Sequence, residues 1–234
     1  MKIEDIQQLI GLGTEVVQES CTTLFSVLTK PQVFYRSVAL ETTADLLRAS
    51  RFAALMSVLT LVIQTPIYRL VGVETESAAY LLTDTVLTCA TWFLYGSVLH
   101  WAAKILRGHG TYQTSVSAFL YLTAFYPVMG FFLLPCSVLA RRVMLQAPDT
   151  FGPGFFQALA QPLLASPLAL TSFGLTTGIG FYFFGCLVLA ARRVHGFGWV
   201  RGLGAGVLAF LGWLAISLTV VAPVDQLFQK AFRK

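Results

Sequence analysis

The sequence predicts an all-α fold: a polytopic bundle of about five transmembrane helices with an amphipathic helix at its N-terminal end. Three observations predict it. Of the 234 residues, 56% are hydrophobic and only 12% are charged, about half the ~25% charge of a water-soluble domain. Mean hydropathy is +0.72, so there is too little polar surface to face water all round. Apolar stretches of about 20 residues, the helical length that crosses ~30 Å of hydrocarbon, recur along the chain.

Residues 1–50 form a first, cytoplasmic block. Ile6, Leu9, Ile10, Val17, Cys21, Leu24 and Leu28 recur at helical steps, with Glu4, Gln8, Glu15, Gln18 and Glu19 between them. This is an amphipathic helix, weakened by Gly11 and Gly13 and ended by Pro31. Its polar face is acidic, so attraction to anionic lipid does not drive it; it lies on the membrane surface or docks on a partner. A second short helix over 33–48 leads through Arg48 and Arg51 into the membrane. The first twenty residues hold four acidic side chains and no basic-then-apolar pattern, so the first span is expected to do the targeting.

The membrane domain covers 51–223, with spans at 52–71, 80–103, 114–139, 171–191 and 203–222, and a short tail at 224–234. Pro127 and Pro135 predict a kink in the third span. Residues 141–170 carry Pro148, Pro153, Pro162 and Pro167. They read as an interfacial or re-entrant segment, or else as a sixth, broken span that would invert everything after it.

A basic, glycine-broken knuckle separates the second and third spans: Lys104, Arg107 and His109 around Gly108 and Gly110. Basic residues are retained on the cytoplasmic side. With five spans and the N-terminus inside, ten of the sixteen basic residues fall on the inner side. The knuckle is then a cytoplasmic turn whose glycines let the chain reverse. Arg141 and Arg142 fall on the other side and are expected to snorkel to the headgroups there.

Signatures of chemistry are sparse. There is no H-E-x-x-H, no G-x-S-x-G and no phosphate-loop lysine. His100, His109 and His195 lack metal-ligand spacing. Cys21, Cys89, Cys136 and Cys186 stand alone and read as small hydrophobes. The expectation is a non-enzyme with no catalytic residue, cofactor, metal or nucleic-acid partner. The candidate polar residues are Asp84, in the first turns of the second span, with Arg69 as its basic partner, and His100, one turn before Lys104. Asp84 reads as an interfacial cap or as a proton- or ion-coupling group facing a cavity. His100 reads as an interfacial histidine or a titrating switch. Gly174 and Gly178, and Gly202 and Gly206, form two G-x-x-x-G steps. Such faces pack helices closely, within the bundle or against a partner.

Several short motifs in order resemble the Yip1 domain family. They are a proline-plus-aromatic stretch before the first span, "LTKPQVFYRSV"; a second span closing on a histidine, "LHWAAKIL"; and the basic glycine turn with its aromatic and later proline, "RGHGTYQTSVSAFLYLTAFYP". The matching residues are Pro31, Phe34, His100, Gly108, Gly110, Tyr112 and Pro127, and the resemblance covers about 28–223. It implies five spans, a cytoplasmic N-terminus and no known chemistry; eukaryotic members act in vesicle traffic with small GTPases. The arginine excess, 11 to 5 lysines, points to a bacterial source and a cytoplasmic (inner) membrane. The expected role is a membrane scaffold or interaction partner in trafficking or envelope assembly. Its contacts would be the lipid bilayer and a membrane-protein partner or a second copy. The alternative is a membrane subunit of a lipid or small-solute transporter.

Overall fold

A computed structural model describes residues 3–70, 78–146, 153–221 and 223–224. The chain is all-α, with no strand among the described residues. In order the helices are α1 (Ile3–Thr29), α2 (Pro31–Ser37), α3 (Thr43–Leu70), α4 (Ala78–Ile105), α5 (Tyr112–Leu122), α6 (Phe125–Gln146), α7 (Pro153–Ala165), α8 (Pro167–His195) and α9 (Trp199–Ile216), closed by a π-helical turn, Ser217–Val221. Among the described residues, five segments are long and apolar enough to cross a bilayer: Thr43–Ile63, Thr85–Ile105, Tyr112–Ala140, Pro167–His195 and Trp199–Val221. The chain is a multi-pass integral membrane protein whose apolar helices meet lipid.

The first span begins earlier than the sequence reading placed it. No separate helix covers 33–48: α2 stops at Ser37, and α3 runs unbroken from Thr43. A reciprocal cap starts α3. The Thr42 amide donates to Asp45 Oδ2 at 2.9 Å, and the Asp45 amide donates to Thr42 Oγ1 at 3.2 Å. The Thr42 amide is thereby satisfied, and the Asp45 amide, which also reaches the Thr42 carbonyl at 3.1 Å, gains a second acceptor. Arg48, which looked like a boundary, lies inside the helix and pairs with Glu19 of α1 at 3.1 Å.

The third span is two helices end to end. It breaks at Thr123–Ala124, upstream of the expected Pro127 kink. Three-residue bonds tighten the chain there, from the amides of Thr123, Ala124 and Tyr126 to the carbonyls of Leu120, Tyr121 and Thr123. Pro127 then sits buried in the first turn of α6, where a missing N–H costs nothing. Pro135 stays inside α6. The neighbouring Phe132 carbonyl accepts from Ser172 Oγ of α8, and Cys136 Sγ donates to the Ala169 carbonyl at 3.1 Å. Within the 141–170 stretch, α7 has 13 residues; at 1.5 Å per residue it is about 20 Å long, too short to cross alone.

Helix α4 packs on α5 and α9, α6 on α3 and α8, and α8 on α5 and α9. In lipid no hydrophobic drive holds helices together, so close packing and buried polar bonds must. An aromatic core supplies the first: Trp92, Tyr95, Phe119 and Trp213 form a chain of ring contacts 5.1–6.4 Å apart. Trp213 Nε1 donates to the Tyr95 carbonyl at 2.9 Å, and Trp92 Nε1 to Ser57 Oγ at 3.2 Å. Glycines bring helices closer still. A Cβ on Gly206 would meet Val188 at 3.0 Å, and one on Gly212 would meet Val98 at 2.6 Å. Replacing Thr42 or Asp45 by alanine should lower stability by about 1 kcal/mol, read as unfolding in mixed micelles. An unchanged midpoint for both variants would mean the cap contributes nothing.

Candidate functional site at the basic end of the bundle

The knuckle between α4 and α5 does not reverse on its glycines. The residue in the left-handed region is Arg107, at φ 62°, and neither Gly108 nor Gly110 has positive φ. The Gly108 amide closes the turn onto the Ala103 carbonyl at 2.9 Å, and Lys104 Nζ donates to the Gly108 carbonyl at 3.2 Å. The glycines are needed for room. A Cβ on Gly108 would lie 2.6 Å from His195 Nδ1 and 2.8 Å from Phe197; one on Gly110 would lie 2.6 Å from Val194 Cγ1 and 2.7 Å from the Val194 carbonyl. The knuckle is pressed against a second turn, where left-handed Gly196 ends α8 and Phe197 N–H returns to the Arg192 carbonyl at 3.1 Å.

Between the two turns lies His195, the last residue of α8 and 0% exposed. Its Nδ1 accepts the Gly110 amide at 3.2 Å, and its Nε2 lies 3.0 Å from Ser115 Oγ. Ser115 Oγ is also 3.0 Å from His100 Nδ1 and 2.7 Å from the Thr111 carbonyl. One hydrogen arrangement uses every contact. Because Nδ1 of His195 accepts an amide, a neutral ring carries its hydrogen on Nε2 and donates it to Ser115. Ser115 gives its single hydrogen to the Thr111 carbonyl, so His100 Nδ1 must donate as well. Two imidazoles thus feed one hydroxyl, and α4, α5 and α8 are fastened by side chains 80 and 15 residues apart in sequence.

This arrangement decides what Ser115 can do. A nucleophilic serine needs a base that takes its proton. Here both rings donate to the hydroxyl and its hydrogen is spent on a carbonyl, in a site with no exposed surface at Ser115. The cluster is built as a clasp. Among the described residues, no three His, Cys, Asp or Glu side chains gather around one metal position.

A second fastening joins α2 to the same end. Tyr35 Oη donates to the Ala118 carbonyl at 3.0 Å, and Arg193 Nε donates to the Tyr35 carbonyl at 3.1 Å. Burial pushes the Tyr35 hydroxyl well above its usual range, with Cys186 and Tyr121 adding to the shift, and keeps it protonated as a donor. Phe34 packs edge-on against Tyr121 at 5.0 Å.

The other sequence-derived candidates divide. His100 is buried in the clasp, near the end of α4 and one turn before Lys104. Pro31 opens α2 and is buried. Gly202 and Gly206 pack α9 on α8, against Arg192, Val188 and Phe184. Gly174 and Gly178 pack against none of the described residues: a Cβ on either meets nothing among them within 4 Å. Both glycines are exposed on α8 among the described residues. Arg69 lies in the last turn of α3 and Asp84 in the second turn of α4, and the side chains of both, like those of Arg141 and Arg142, lie outside the described residues. Sequence reasoning missed His195, Ser115 and Tyr35. The available signal was a lone histidine before a glycine at the end of an apolar span.

Ser115→Ala should cost about 1–3 kcal/mol for each imidazole N–H left buried without an acceptor, measured by unfolding in micelles; wild-type stability would refute the clasp. The raised pKa of Tyr35 favours the neutral hydroxyl in the folded chain, so that contribution is full below about pH 10 and is lost as pH rises above it. Tyr35→Phe should flatten part of the alkaline limb of a stability–pH curve, and an identical limb would contradict this.

No family model matches the chain, and no curated protein or solved structure does, so what it does is read from its own residues.

Proposed function

We propose that the chain is a non-enzymatic membrane protein of Yip1-like type, a scaffold or interaction partner in a bacterial cytoplasmic membrane, with its basic end in the cytoplasm. One observation carries the reading. Four of the seven residues that bear the resemblance meet at a single place: His100, Gly108, Gly110 and Tyr112 surround the clasp, with the Tyr112 ring 5.6 Å from His100. Phe34 and Pro31 brace α2 beside it. Their polar atoms are spent on holding helix ends together, which is what a rigid platform needs and what a reactive site avoids. Sidedness follows from charge. Arg36, Lys104, Arg107, Arg192, Arg193 and Arg201 all belong to the ends of helices or turns that converge there, and such an excess is retained inside.

Two surfaces are available to a partner. Helix α1 carries Val17 and Phe25 exposed, and its last turns enter the bundle, where Val27 is fully buried and Tyr182 Oη donates to the Leu28 carbonyl at 2.8 Å. The open side of α8 holds Gly174 and Gly178.

A second reading, as a lipid or small-solute transporter subunit, is favoured by a cavity of about 500 Å³ lined by Leu87, Thr91, Trp92, Tyr95, Tyr126 and Val220. Two measurements separate them. A photo-crosslinking residue at position 178 should give a discrete adduct with a membrane protein or a second copy in cells. Purified chain in liposomes should show no solute flux, and Asp84→Asn should leave assembly intact. Flux that Asp84→Asn abolishes, with lipid-only adducts at 178, would replace the scaffold by the transporter.

A further inference from the structure

Beside the clasp, outside it, three arginines face one small pocket. The pocket has a volume of about 150 Å³; Gln32, Arg36, Arg192 and Arg193 border it, and Tyr35 and Phe197 help line it. Two of the guanidinium groups are already aimed. Arg192 Nε donates to the Phe197 carbonyl at 3.3 Å, and its Cζ lies 3.8 Å over the Trp199 ring. Arg193 Nε donates to the Tyr35 carbonyl. In each, one nitrogen anchors the group, while the terminal nitrogens have no hydrogen-bond partner among the described residues. Among the described residues no carboxylate answers the three charges there: their ion pair is Arg48 with Glu19, elsewhere on the chain.

Three like charges held around one concavity repel one another unless an anion joins them. Planar forks with their Nε committed and their ends free match the oxygens of a phosphate. The surroundings set its depth. Trp199 is 63% exposed and Val200 86% exposed, an aromatic and an apolar side chain at the start of α9, as found at the headgroup level of a bilayer. Basic pockets at helix ends on the cytoplasmic side suit anionic headgroups.

We infer that this pocket binds a phosphate group, presented by an anionic membrane lipid or by a soluble phosphate anion. Arg36 and the terminal nitrogens of Arg192 and Arg193 supply the charge, and Gln32 borders the site as a polar neighbour.

The test uses the full chain purified in detergent. Short-chain phosphatidylglycerol, short-chain phosphatidylcholine and inorganic phosphate are each titrated, with bound lipid read by native mass spectrometry and binding by thermal shift. Arg36→Gln is the informative variant, since Arg36 holds no other group in place among the described residues. It should weaken binding roughly fivefold, the effect of one basic residue at a membrane surface; Arg36→Gln with Arg193→Gln should weaken it further. Selective binding of phosphatidylglycerol that inorganic phosphate does not displace assigns a lipid headgroup. Binding of inorganic phosphate that Arg36→Gln weakens assigns a soluble anion. The inference is overturned if the wild type binds neither, or if Arg36→Gln, folded by circular dichroism and size exclusion, binds both as the wild type does.

Discussion

The ring of His195 holds this structure's basic end together. It is buried where two interhelical turns and the start of α5 converge, and both its nitrogens are committed to other elements. A buried imidazole is tolerable only if each nitrogen has a partner of the right kind. That requirement fixes the rest: an amide must point at one side, a hydroxyl must stand at the other, and the backbone that brings the amide must come too close for a Cβ. The knuckle's glycines, the first turn of α5 and the left-handed end of α8 are consequences of housing one polar ring in a helical bundle.

Much of the architecture was legible because the bilayer is an unforgiving solvent. Five apolar segments of spanning length announce themselves by composition, and the structure has five among the described residues. Boundaries were less legible, because local polar bonds override hydropathy. Arg48 and Arg51 looked like the outer edge of the first span, yet the Thr42–Asp45 cap starts the helix before them and Glu19 pairs with Arg48. The third span breaks where short-range bonds tighten before Pro127, and Pro135 stays inside α6, where the neighbouring Phe132 carbonyl and Cys136 thiol bond to α8.

The site was half legible. Spacing singled out His100 and the glycines, and the knuckle's charge fixed attention on the right end of the bundle. What it could not give is the tertiary pairing of Ser115 with His195, 80 residues apart, or the finding that the glycines serve contact and Arg107 serves the turn. The two small-residue steps looked alike in sequence, and only the fold separates Gly202 and Gly206, which pack α9 on α8, from Gly174 and Gly178, which face outward. Their different fates leave the clasp end of the bundle close-packed and cationic, and one side of α8 uncovered by the described residues.

The protonation pattern of His195 tests this account most directly. In a sample labelled with ¹⁵N-histidine and held in micelles near neutral pH, His195 should show Nε2 protonated and Nδ1 bare, with a through-bond coupling to the Gly110 amide. A His195 ring protonated on Nδ1, or one without that coupling, would contradict the clasp and the convergence of elements built around it.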